Sequence, residues 1–204
     1  MNGRFAALPE EKQQQILNAG FKVFSENSYK KSPVQEIADA AGISKSIMFY
    51  YFRNKKELYL FLWEQAAGLT MKYLTEYRCY EPSDLFEMMR RGMRAKIQIM
   101  RNYPPMAAFV VKAFYETDPA VCQDVHRSYR GLMQKKADQA LQRLDPRDFA
   151  PGLNLQMMYR EMYLTSEGYL WEIMQRGDTL DAEALEKDFS AMLDFWKSVY
   201  GRKE

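Results

Sequence analysis

The chain has 204 residues, 47% of them hydrophobic and 27% charged, which supports one large or two modest domains and excludes a disordered chain. Its formal net charge is only +2, which excludes sequence-blind coating of nucleic acid. The charge is uneven, however: residues 1–60 carry nine Lys/Arg against six Asp/Glu and the rest 20 against 21, so the positive excess lies in the N-terminal part.

Nearly every segment has helical period, and none alternates as a strand would. In residues 9–26, Pro9 and two acids suit a helix N-terminus, and Ile16, Ala19, Gly20, Val23 and Phe24 form one apolar stripe. Ser32-Pro33-Val34-Gln35 reads as a capping box opening a short helix that ends near Ala41. Gly42 supplies the turn, because glycine takes a left-handed conformation cheaply. Ser44 caps a second short helix to about Tyr50, and Asn54 caps a long one through about Tyr77. Breaks at Pro82 and at Pro104-Pro105 bound helices over about 83–101 and 105–116. Asp118-Pro119 opens another to about 144; the last two span about 154–175 and 181–200, separated by Gly177. The prediction is an all-α chain of nine helices.

The first 60 residues hold a three-helix group with the parts of a helix-turn-helix: a small-residue face (Ile37, Ala38, Ala41), a glycine turn, and an exposed second helix. Lys45, Ser46, Ile47, Phe49 and Tyr50 are expected to face a DNA groove, while Met48, Tyr51 and Phe52 suit the core. The run Ile37-Ala38-Asp39-Ala40-Ala41-Gly42-Ile43-Ser44-Lys45, continued by Tyr51-Phe52 and Lys56-Glu57-Leu58, resembles the helix-turn-helix of the tetracycline repressor (TetR) family of transcription regulators. The resemblance covers roughly residues 9–60. It implies that Ser32 and Gln35 meet phosphate, that Ser44 caps the recognition helix, that Lys45 contacts backbone or base edge, and that Lys55 grips phosphate. Ser46, Ile47 and Phe49 depart from the family's usual glycine, small hydroxyl residue and tyrosine. Ile47 can touch a thymine methyl but makes no hydrogen bond.

The resemblance divides the chain into a DNA-binding domain, residues 1–53, and a ligand-binding and dimerisation domain, residues 54–204. Methionines and aromatics crowd the middle helices. Met71, Met89, Met93, Phe109, Phe114, Tyr115, His126 and Tyr129 are candidates for a pocket taking a small hydrophobic or aromatic ligand, or are simply core. His126, the only histidine, suits the surface or a polar pocket contact. Leu185, Phe189, Met192, Trp196 and Val199 step like a coiled-coil seam, and Met158, Met162 and Tyr169 form a matching stripe. These stripes are expected to join two chains, since reading a pseudo-palindromic operator needs a two-fold partner; the alternative is that they face the chain's own core.

No phosphate loop, nucleophile–base pair or metal motif is present, so no enzyme, cofactor or metal is expected. Cys79 and Cys122 stand in no metal or redox spacing. With no signal peptide and no membrane-length apolar run, the expectation is a cytoplasmic protein without a membrane partner. The function read here is a homodimeric, ligand-responsive regulator, a repressor on double-stranded DNA. The rival readings are a helical protein–protein adaptor and a ligand-independent DNA-binding protein.

Overall fold

The computed structural model describes residues 3–202. Among them are eleven α-helices: α1 (Gly3–Ala6), α2 (Glu10–Glu26), α3 (Val34–Ala40), α4 (Lys45–Tyr51), α5 (Lys55–Glu76), α6 (Leu85–Asn102), α7 (Pro104–Phe114), α8 (Cys122–Tyr129), α9 (Lys135–Leu141), α10 (Leu155–Arg176) and α11 (Ala182–Tyr200). The expected helix over 119–144 is interrupted: it starts at Cys122, and a π-helical stretch, Arg130–Gln134, separates α8 from α9. A four-residue α1 and a 3-10 turn, Pro146–Asp148, are additions to the nine predicted helices.

Local side-chain chemistry sets several helix starts. Ser44 Oγ accepts from Ile47 N, Asn154 Oδ1 from Met157 N, and Asp181 Oδ1 from Glu183 N. Asn54 Oδ1 accepts from Glu57 N, and Glu57 reaches back to Arg53 N. Each such cap satisfies donors that the first turn leaves unpaired. The expected capping box at Ser32 does not form. Pro33 holds the N-cap position without a side-chain bond, Ser32 Oγ donates to Ser28 O at 2.9 Å, and Gln35 bonds Asp39. The preceding turn has claimed the hydroxyl.

The described residues fall into two compact units. The first joins the segment up to Leu69 with Tyr103–Gly131; the second joins Thr70–Asn102 with the segment from Leu132 on. The first packing unit holds α1–α4, α5 up to Leu69, α7 and α8, and so includes more than residues 1–53.

The core of the first unit is aromatic. Phe24 meets Tyr59 at 4.9 Å between centroids, Tyr59 meets Phe109 at 5.1 Å, and Phe21 meets Phe109 at 5.5 Å. Gly20 lets α2 approach α5 closely: a Cβ there would lie 2.6 Å from the buried Leu62 Cδ1. The core of the second unit gathers Leu85, Phe86, Met88, Leu144, Phe149, Met158, Met162, Leu193 and Trp196. No helix among the described residues is long and apolar enough to cross a membrane.

Candidate nucleic-acid interface

The turn between α3 and α4 is built from backbone. Gly42 has φ +62°, a conformation that side chains with a Cβ disfavour. Ile43 N closes the turn onto Ala38 O at 3.0 Å, and Lys12 Nζ donates to Ala41 O at the end of α3. With this turn fixed, the aromatic run at the end of α4 sorts itself by helical position. Met48 (0% exposed) and Phe52 (1%) anchor the helix inside, whereas Ile47 (42%), Phe49 (38%) and Tyr50 (57%) stand outside. Lys45 and Ser46 are exposed beside them. Ser46 Oγ lies 2.8 Å from Ser44 Oγ, and Lys45 Nζ is 5.9 Å from the Phe49 ring centroid. The outer face thus offers one cation, two hydroxyls, an aliphatic chain and two aromatic rings. That set can hold a phosphate backbone and touch base edges.

Three other expected DNA residues are placed differently. Ser32 is fully buried, with its hydroxyl bonded to Ser28 O. Gln35 is exposed but donates to Asp39 Oδ1 at 2.7 Å. Lys55 is half-buried, and its ammonium donates to the carbonyls of Tyr29, Lys30 and Ser32 at 2.7, 3.3 and 3.1 Å and stands 4.7 Å from the Tyr29 ring centroid. Burial lowers its pKa from the ordinary lysine value, and the Asp118 carboxylate opposes the shift. Lys55, the lysine expected to grip phosphate, is tied here to the loop that leads into α3.

The loop, the end of α2 and the start of α5 are also held by α7, α8 and the residues after α7, a feature sequence reasoning missed. Glu116 Oε2 accepts from Tyr29 N at 2.7 Å, and Lys112 Nζ donates to Ser25 O at 3.0 Å. Lys56 Nζ lies 2.7 Å from Asp124 Oδ2, and that hydrogen bond lowers the carboxyl's pKa. These pairs join residues 68 to 87 positions apart, and no local pattern announces them.

A surface cavity of about 330 Å³ lies in the same unit, lined by Leu60, Trp63, Glu64, Asp124, Arg127 and Ser128. The buried Trp63 Nε1 has no hydrogen-bond partner. In the second unit, Tyr80, Lys136, Gln139, Gln142 and Arg143 line a surface cavity of about 640 Å³.

Neither cavity is lined by the eight residues expected to meet a ligand. Phe109 is fully buried in the ring cluster of the first unit. Phe114 packs against Tyr115, His126 and Tyr129 in a separate aromatic group, and His126 Nε2 sits 2.8 Å from Phe114 O. Met71 packs beside Leu74, Cys79 and Ala95. Met89 and Met93 lean on the main core of the second unit.

Most of the expected dimer stripe lies against the chain's own core, the alternative that spacing left open. Met158, Met162, Leu185 and Trp196 are buried in the chain's own structure, Met192 packs against the same core, and Tyr169 bonds Asp188 and packs on Phe189. Steps of three and four describe an inward seam as well as a seam between chains. Val199 (46% exposed) alone of that set faces out strongly, and it does so with Phe195 (63%), Met157 (63%), Leu164 (53%) and Trp171 (44%). Met157, Leu164 and Trp171 recur every seven residues along α10, so they share one face.

Comparison with known proteins agrees with this geometry. Residues 16–61 match the family described as bacterial regulatory proteins, tetR family. The HTH-type transcriptional regulator RutR of Escherichia coli K12 is 23% identical over 135 residues, 66% of this chain and 63% of RutR. The HTH-type transcriptional activator FasR of Mycolicibacterium smegmatis is 42% identical over 125 residues, 61% of this chain and 57% of FasR. The chain thus spans about three fifths of the length of these relatives. Among solved structures, the regulator FadR of Bacillus subtilis in complex with stearoyl-CoA superposes with TM-score 0.65 at 17% identity, covering 88% of this chain and 96% of FadR. The helix-turn-helix falls inside the matched residues, so residues 16–61 carry the domain described as bacterial regulatory proteins, tetR family.

Proposed function

We propose that this chain is a homodimeric, sequence-specific DNA-binding regulator of transcription, a repressor released from a pseudo-palindromic operator by a small hydrophobic or aromatic ligand. The observation that supports it most is the outer face of α4, where Ile47, Phe49 and Tyr50 are exposed while Met48 and Phe52 are buried. A soluble helix gains nothing by presenting three large apolar side chains to water beside Lys45 unless that face meets a partner. The relatives' names, transcriptional regulator and activator, point to DNA as that partner and to regulation rather than catalysis.

The dimer is assigned to the exposed apolar face of α10 and α11, with Met157, Leu164, Trp171, Phe195 and Val199 at its centre. Two-fold pairing sets the two recognition helices about 34–36 Å apart, one turn of DNA. A ligand that binds better to a mis-spaced state weakens DNA binding by its coupling energy, typically about 1–3 kcal/mol. The Glu116–Tyr29, Lys112–Ser25 and Lys56–Asp124 contacts couple movement of α7 or α8 to the segments that flank the helix-turn-helix, the end of α2, the loop before α3 and the start of α5. The stearoyl-CoA bound by FadR favours a ligand with a long apolar body.

The test is fluorescence anisotropy on the gene's own upstream DNA and on random-site-selected duplexes, with unrelated competitor, followed by a promoter-reporter assay. Saturable binding at two chains per duplex, and higher reporter output on deletion of the gene, is the expected result. Binding lost equally to any competitor on all duplexes overturns the reading. Lower output on deletion makes the chain an activator, as FasR is named.

A further inference from the structure

The short helix α1 lies on the end of the recognition helix. Phe5 is 3% exposed, and its ring meets Phe61 at 5.0 Å, Phe52 at 5.4 Å and Tyr51 at 6.4 Å. Gln13 Nε2 donates to Leu8 O at 2.8 Å and to Ala6 O at 3.3 Å, which fixes the link from α1 to α2. Anchored in this way, the neighbouring Arg4 is carried to α4: its Nη1 donates to Tyr50 O at 3.4 Å, and its guanidinium carbon sits 4.6 Å from the Tyr50 ring centroid.

From this we infer that Arg4 is part of the DNA-contacting surface, a phosphate-binding cation held at the C-terminal end of the recognition helix by the Tyr50 ring. The inference rests on the proposed DNA-binding function. Lys45 and Arg4 each stand near an exposed ring of α4. A guanidinium over a ring keeps its N–H donors in its own plane for polar partners, as Arg4 Nη1 shows with Tyr50 O. A planar fork presented in this way matches the oxygens of a phosphate. Ring and cation also restrain each other, so less side-chain freedom is lost when DNA arrives. Tyr50 is then both a DNA-facing side chain and the support that orients Arg4.

The experiment compares the salt dependence of DNA binding by the full chain, wild type against Arg4→Gln, Arg4→Lys and Lys45→Gln, on one selected duplex. Each lost phosphate contact makes the slope of log K against log salt shallower by about 0.9, so about 1.8 for the two copies in a dimer. Arg4→Gln is expected to show that change with an unaltered thermal midpoint. Arg4→Lys, which keeps the charge and loses the planar fork, is expected to keep the slope while binding more weakly. An Arg4→Gln slope equal to wild type, with Lys45→Gln shallower, overturns the role of Arg4 and leaves the DNA-binding reading intact. Wild type that binds no duplex saturably overturns that reading and this inference with it.

Discussion

The two units are filled with different material. The first interlocks rings: Phe21, Phe24, Tyr29, Tyr59 and Phe109 meet at centroid distances between 4.9 and 6.4 Å. The second holds eleven of the fourteen methionines, with Met88, Met158 and Met162 in its core and Met89, Met93 and Met192 against it. Ring pairs have preferred geometries and add about 0.5–1.5 kcal/mol each beyond their buried area. Methionine is unbranched and soft, and it refills irregular space at little cost. A rigid ring core suits a unit that must hold Lys45, Ile47 and Tyr50 in fixed positions. A methionine core suits a unit that must repack, as the proposed response to a ligand would require.

Four substitutions sharpen that contrast or break it. Phe109→Ala removes the ring shared by Phe21, Phe24 and Tyr59 and is expected to cost about 3–5 kcal/mol in urea unfolding; a loss below about 1 kcal/mol would mean that the cluster is not a rigid frame. Lys55→Ala strips three carbonyls of their shared donor. It should cost about 1–3 kcal/mol and weaken binding to every duplex while leaving the salt slope close to wild type. A shallower slope would mean that Lys55 touches phosphate after all.

Met162→Leu, at a fully buried site of the second core, should cost less than about 1.5 kcal/mol. A loss as large as that of Phe109→Ala would erase the distinction between the two cores. The smallest effect is expected from Tyr169→Phe. Burial, reinforced by its bond to Asp188, raises the Tyr169 phenol from 10.0 to about 12 in the folded chain. The neutral form is favoured by folding, so its contribution is complete below pH 10 and is lost as pH rises toward 12. The wild type should therefore lose stability over that window, and Tyr169→Phe should flatten the decline in thermal midpoint.

What could be read from the sequence was local. Gly42, the Ser44 and Asn54 caps and the inward Met48 and Phe52 follow from chemistry within a few residues, and they appear in the structure as expected. The Ser32 box failed because the turn at Ser28 competes for the same hydroxyl. The membership of α7 and α8 in the first unit depends on pairs such as Glu116–Tyr29, 87 residues apart, which periodicity cannot reveal. The stripe through Met158, Met162 and Trp196 was visible, but spacing says that residues share a face and not what covers it. The outward face through Met157, Leu164 and Trp171 was equally present in the sequence, and burial alone separates the two.

The most direct test of the central claim, that the outer face of α4 reads a DNA groove, is random-site selection with wild type and Ile47→Ala side by side. Wild type is expected to select one two-fold symmetric consensus, and Ile47→Ala a consensus relaxed at one symmetric pair of positions, with the flanking positions unchanged. No enrichment by wild type, or an identical consensus for both proteins, would contradict it.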